Sequence, residues 1–133
     1  MKNPYAEMSA TKITVLWICK LIACGFLAWA GYLKLTHAQV EVDLFTELGM
    51  EPVGRLLIGG LEIGAVILLL IPQSAVYGAL LGVGVMCGAI IAHATKIGFG
   101  GPFPLAILVL LCCVTVLYIR RNDAEFLRNL LDR

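Results

Sequence analysis

Residues 13–33 read ITVLWICKLIACGFLAWAGYL, a run of 21 positions with one charge, Lys20. At about 1.5 Å per residue a helix of this length spans roughly 30 Å, the hydrocarbon thickness of a bilayer. Lipid offers backbone groups no partner, so a crossing segment is a helix or a strand of a closed barrel. The run lacks the period-two alternation and the ~10-residue length of a barrel strand, so it predicts a membrane-crossing helix. A cleaved signal peptide is the competing reading. The run is too long for one, carries Lys20 in its middle and has no small-residue cleavage site before its polar flank.

Three more apolar runs follow: Leu56–Ile71, Ala75–Ala94 and Phe103–Ile119. The sequence therefore predicts an all-α polytopic membrane protein, a four-transmembrane-helix bundle with helices at about 13–34, 53–71, 75–95 and 103–120. The whole chain, 1–133, reads as one membrane domain. Composition agrees, with 60% of the 133 residues hydrophobic and 14% charged, where soluble domains carry about a quarter charged. A small soluble chain could not bury such an excess.

Between the first two runs lies Thr36–Val53, the longest stretch that does not span. Positions 41, 44, 45 and 48 are helix-spaced, whereas Val40, Val42 and Leu44 alternate like a strand. The helical reading is favoured: a short interfacial helix in the first outer loop, stopped by Gly49 and Pro52 and able to cover the bundle mouth. Pro72-Gln73-Ser74 marks a tight hairpin, and Gly98–Gly101 with Pro102 and Pro104 a turn. Residues 122–133 read as an amphipathic tail with Phe126, Leu127, Leu130 and Leu131 on one side.

The net charge of +1 leaves no nucleic-acid footprint. Its distribution says more. Lys2, Lys12, Arg120, Arg121, Arg128 and Arg133 flank the outermost runs, against Lys34, Arg55 and Lys96 on the other side. The positive-inside rule then puts both termini in the cytoplasm, with the chain in a bacterial inner membrane. The five cysteines, Cys19, Cys24, Cys87, Cys112 and Cys113, all lie inside apolar runs without Cys-x-x-Cys or zinc spacing. They read as small buried hydrophobes. Cys19 and Cys24 point about 140° apart on a helix, and a vicinal Cys112–Cys113 disulfide would be strained.

Gly60 and Gly64, Gly78 and Gly82, and Gly84 and Gly88 form three Gly-x-x-x-Gly pairs, which let helix backbones approach closely. All fall in the second and third runs. These two are expected to be the tightly packed centre, within a monomer or across a homo-oligomer.

Charges within a membrane cost about 3 kcal/mol each on insertion scales and usually face the bundle interior. Lys34 and Arg55 stand at the outer ends of the first two helices. Glu62 lies ~10 Å deeper than Arg55, and His93 ~5 Å below Lys96. Arg55, Gly59 and Glu62 share one helix face; Met86, Ala89, His93 and Lys96 share another. Side chains from three helices can converge on one outward-opening pocket, with Glu62 paired to His93, Lys34 or Arg55. Such a cluster is either a polar clasp fixing helix register or a site for a headgroup, quinone or small ligand. For His93 alone the bland interfacial role is favoured. For Glu62 the functional one is, because a mid-helix carboxylate has no cheap reason to exist. Lys20, ~21 Å from Lys34, shares a stripe with Cys24, Leu27 and Gly31; it can snorkel to the cytoplasm or reach part-way to Glu62.

At these residues the chain resembles the DoxX and DoxX-like family of small four-helix membrane proteins, over about Ala23–Arg121. The resemblance rests on Gly31-x-x-Lys34-Leu35 closing the first helix, Arg55 and Gly60-Leu61-Glu62 in the second, Pro72 ending it, and His93 ending the third. It implies the fold and a polar centre of Lys34, Glu62 and His93. Members are associated with a thiosulfate:quinone oxidoreductase, a membrane-linked oxidative-stress complex and, in an animal branch, chaperoning of nicotinic receptors. No activity transfers with it.

The sequence shows no cofactor motif, and the polar cluster has no nucleophile, metal set or phosphate loop. The favoured expectation is a non-catalytic accessory or assembly module whose outer pocket binds a lipid, a quinone or a partner helix. Its partners are membrane lipids, with a membrane or redox protein as the further candidate. A quinone-linked oxidoreductase subunit is the alternative. A small proton-coupled transporter ranks third, since Glu62 sits off the midplane.

Overall fold

The computed structural model describes residues 3–124 and residue 129, and the described chain is helical without a strand. Five α-helices are present among the described residues: α1 Ala10–Leu35, α2 Gln39–Glu47, α3 Val53–Leu70, α4 Ala75–Ala92 and α5 Phe103–Ile119. α4 runs on into a π-helical turn, His93–Ile97, and a tight 3-10 turn, Arg121–Asp123, follows α5. The amphipathic tail expected over 122–133 lies outside the described residues from 125 onward, residue 129 excepted.

α1 starts three residues before its apolar run because Ser9 caps it, the Ser9 hydroxyl accepting from the Lys12 N–H at 3.4 Å. It stops at Leu35, and His37, with φ of 58°, turns the chain into α2. In α2 the helical period prevails over the strand-like alternation. Phe45 is buried while Val40, on the alternating set, is exposed. α3 ends before Pro72, which cannot continue a hydrogen-bonded helix, and the Ser74 hydroxyl donates to the Leu68 carbonyl at 3.0 Å across the hairpin.

By length and composition three helices are apolar enough to cross a membrane: α1, α3, and α4 with its extension to Ile97. α5 is equally apolar and shorter, at 17 residues. α1 packs on α3 and α5, and α4 packs on α3 and α5, so the four close into a ring; α2 touches α1 and α3 at one end. The core between them is Leu16, Ala23, Leu27, Ala65, Leu69, Ala79, Val109, Cys113 and Val116.

Burial runs opposite to that of a water-soluble domain. Lys20 is 0% exposed and Glu62 2%, while Leu21 is 60% exposed and Leu111 59%. Water rewards the reverse arrangement; lipid around the rim rewards this one.

The glycine pairs differ from expectation. Gly78 does let α3 and α4 meet, since a Cβ there would stand 2.5 Å from the Leu69 nitrogen. A Cβ on Gly82 would meet the Cys113 sulfur of α5 at 2.7 Å, so it serves a different neighbour. Gly60, Gly84 and Gly88 face open space, and Gly64 makes only an ordinary contact with Leu81. The other close passage, α1 on α3, goes through Gly31 and Gly59: a Cβ on Gly31 would lie 3.1 Å from the Gly59 carbonyl oxygen. A four-residue spacing fixes which side of a helix is smooth, not what lies against it.

Candidate functional site

A cavity of about 340 Å³ opens where α2 crosses the ring. Its walls are mostly apolar, with Phe26, Phe45 and Met86 among them, and its polar side chains are Lys34, Glu41, Glu62 and His93. Each arrives from a different place. Lys34 stands in the last turn of α1, Glu41 in the first turn of α2, Glu62 midway along α3, and His93 at the end of α4.

Lys34 links the two acids. Its Nζ lies 3.2 Å from Glu62 Oε2 and 3.6 Å from Glu41 Oε2. The Lys34 stem packs where a Cβ on Gly59 would stand only 2.9 Å from the Lys34 Cβ, so Gly59 is what lets it reach α3. Of the three pairings open to Glu62, the structure selects Lys34. The contact is a buried ion pair, and no partner for Glu62 Oε2 other than Lys34 is present among the described residues.

His93 is 6% exposed and lines the same cavity without bonding to Glu62. Its ring is held by its own π-helical turn: Nδ1 lies 2.9 Å from the Gly98 carbonyl oxygen, and the Gly98 N–H donates to the His93 carbonyl at 2.8 Å. Gly98 makes this reciprocal pair at φ of 92°, a conformation only glycine adopts freely. A carbonyl can only accept, so Nδ1 carries the proton, and in the neutral ring Nε2 is left as an acceptor.

Arg55 does not line the cavity. Although 1% exposed, its guanidinium is occupied elsewhere: Nε donates to Glu51 Oε2 and Nη2 to Glu51 Oε1, both at 2.8 Å. Nη2 also meets His37 Nδ1 at 2.7 Å, and Nη1 donates to the Lys34 carbonyl. It is a rim clasp tying α3 to the end of α1, and so fixes the backbone that carries Lys34. The same bonds hold the Glu51 carboxyl below its ordinary carboxylate range, the Arg55 hydrogen bonds being the main cause.

Lys20 belongs to the opposite end and does not reach toward Glu62. Its Nζ lies 4.2 Å from the centre of the Trp17 ring and has no hydrogen-bond partner among the described residues. Nearby, Arg120 donates from Nη2 to the Pro72 carbonyl at 2.6 Å and from Nε to Asp123, and lies over the Tyr5 ring. The five cysteines are free, and no group of His, Cys, Asp or Glu among the described residues is arranged to hold a metal.

Sequence reasoning passed over Glu51, His37 and Glu41 as site residues. The i, i+4 spacing of Glu51 and Arg55 was a usable signal for the clasp. Glu41 was visible only as part of an acidic helix face.

A family profile described as the DoxX-like family matches residues 18–116. That interval contains every side chain lining the cavity. No curated protein and no solved structure matches the chain. With three apolar helices of membrane-crossing length and this match over most of its residues, the chain is an integral membrane protein and belongs to the DoxX-like family.

Proposed function

We propose that this protein is a non-catalytic membrane module that holds one amphiphile, of lipid or quinone class, in the cavity beneath α2. In this reading α5 crosses the membrane with the other three long helices, and both termini face the cytoplasm of a bacterial inner membrane. α2 lies on the outer interface as a cover. The observation that carries the reading is Glu62: a carboxylate 2% exposed, ion-paired with Lys34 at 3.2 Å and lining a largely apolar cavity of about 340 Å³. A buried carboxylate with one shared ammonium keeps acceptor capacity that a polar ligand head in the cavity can fill. The volume is at the small end of ligand sites, enough for a head and the first carbons of a chain, with the rest passing out between helices.

Native mass spectrometry of gently extracted protein tests this. The wild type is expected to retain an amphiphile, and Glu62→Gln to lose it by about tenfold or more, since an unmade bond to a buried polar group costs about 1–3 kcal/mol. Equal retention by both proteins would overturn the reading.

A second reading, a subunit serving quinone reduction by a partner protein, is favoured by one feature: Glu62 and His93 both line the cavity, where they could exchange protons with a bound ring. Quinone reduction in membranes carrying the partner should then fall in both Glu62→Gln and His93→Ala. Unchanged rates in both would exclude it.

A further inference from the structure

We infer that the cavity selects its amphiphile by a hydrogen-bond-donating ammonium head, which seats against Glu62 with the apolar body along the α4 wall. This rests on the amphiphile-binding reading and narrows the ligand to one chemical class.

The polar lining is unbalanced. Glu41 and Glu62 offer carboxylate oxygens, and His93 offers Nε2, because its Nδ1 proton is committed to the Gly98 carbonyl. Against these acceptors stands a single donor, the Lys34 ammonium, shared between the two carboxylates at 3.2 and 3.6 Å. Of the other cations at this end, Arg55 is spent on Glu51, His37 and the Lys34 carbonyl and Lys96 is exposed; neither lines the cavity. Two carboxyl groups thus share one ammonium, and the lining holds more acceptors than donors.

Charges act strongly among apolar walls, where little water screens them. A cationic head meets both carboxyl groups favourably, whereas an anionic head would compete with them for Lys34. An ammonium also supplies a second N–H donor to Glu62, whose one cationic neighbour, Lys34, is shared with Glu41. A quinone presents carbonyl acceptors, for which Lys34 alone is available, and that lysine is already engaged.

The body of the ligand has a place as well. Gly84 and Gly88 line the cavity, and a Cβ on either meets nothing within 4 Å. They keep the α4 wall low where an alkyl chain would lie, and a larger side chain at Gly84 would fill that space without striking the protein.

The test uses the full chain in phosphatidylcholine nanodiscs, titrated with decylammonium, decanol and decanoate, three probes sharing one alkyl body. Decylammonium is expected to bind at least tenfold more tightly than decanoate, with decanol between. Glu62→Gln should compress that order to within about threefold, and Glu41→Gln should compress it partly. Gly84→Leu should weaken all specific binding by tenfold or more, which separates the cavity from partition into lipid.

Decanoate binding as tightly as decylammonium in the wild type would overturn the inference whether or not any variant folds. So would an order that survives Glu62→Gln. If all three bind alike and Gly84→Leu abolishes them, ammonium selection fails and amphiphile binding stands. If none binds, or Gly84→Leu changes nothing, both fail. Phosphatidylethanolamine in the disc distinguishes two sources of the same head. Weaker decylammonium binding there assigns the ammonium to a lipid headgroup, and unchanged binding assigns it to a free amphiphilic amine.

Discussion

Lys20 and Lys34 stand fourteen residues apart on nearly the same face of α1, yet their surroundings set them to different uses. Lys34 ends its helix between two carboxylates and works as a bridge. Lys20 is wholly buried, with a Trp17 ring beside it and no acceptor among the described residues. A cation–π contact contributes about 0.5–2 kcal/mol, while an unsatisfied buried donor costs about 1–3, more when charged. The cost is the larger, so Lys20→Met, similar in volume, should raise the thermal midpoint in detergent; a lowered midpoint would show that Lys20 has an acceptor. Glu51 shows the opposite case, a charge that is well served. Its carboxyl is depressed by Arg55, so its contribution to stability is present above the ordinary glutamate value of about 4.3 and is lost as pH falls through the lowered folded value. Glu51→Gln should therefore melt below the wild type at pH 7, and the two curves should converge once pH falls below the lowered folded value. Glu62 was legible in the sequence because a lone acid in an apolar run is conspicuous. Its choice of Lys34 over Arg55 was not, since both sit one helix end away and only Glu51 and His37, occupying Arg55, decide between them.

Glycines carry the packing at the scale of elements, and their spacing alone misled. Gly78 brings α4 onto α3 so closely that a Cβ would press on backbone, 2.5 Å from the Leu69 nitrogen and 2.9 Å from the Ala65 carbonyl oxygen. Backbone cannot swing aside as a side chain can. Gly78→Ala should thus cost about 1–3 kcal/mol as an overpacked contact. Gly60→Ala, with open space around it, should be neutral or gain up to about 1 kcal/mol from helix propensity. Thermal unfolding of the two variants side by side checks the pair, and equal effects would mean that α3 and α4 do not meet through Gly78. The apolar runs made α1, α3, α4 and α5 readable because hydrocarbon tolerates little else along ~20 residues. α2 was readable in kind, through the helical spacing of Leu44, Phe45 and Leu48. The π-helical turn was hidden: its signal is the pair of bonds between His93 and Gly98, which depends on how the chain turns there rather than on residue type.

For the molecule as a whole, two polar ends enclose an apolar middle, and the ends differ in kind. At the α2 end Lys34, Glu41, Glu51, Arg55, Glu62 and His93 surround or border a cavity, while at the hairpin end Lys20, Arg120 and Asp123 pack around Trp17, Tyr5 and the Pro72 carbonyl. The charge bias of the termini and the two ends together propose an orientation, hairpin end inward and cavity end outward. In that proposed orientation both termini share a side, which takes an even number of crossings; α5, with 17 residues, would be the fourth, local thinning of the bilayer accommodating the short span. Two introduced cysteines read this directly. Residues 73 and 100 are exposed at opposite ends, and because Cys87 is exposed and Cys19 half-buried the two are introduced into a chain with Cys19 and Cys87 replaced by Ala. In intact spheroplasts Gly100→Cys should label and Gln73→Cys should not, the latter reacting only after permeabilisation. The reverse pattern would turn the molecule over and place the cavity on the cytoplasmic side. Labelling of both positions without permeabilisation would mean that α4 does not cross the membrane, and the enclosed site beneath α2 would then have to be explained without a bilayer around it.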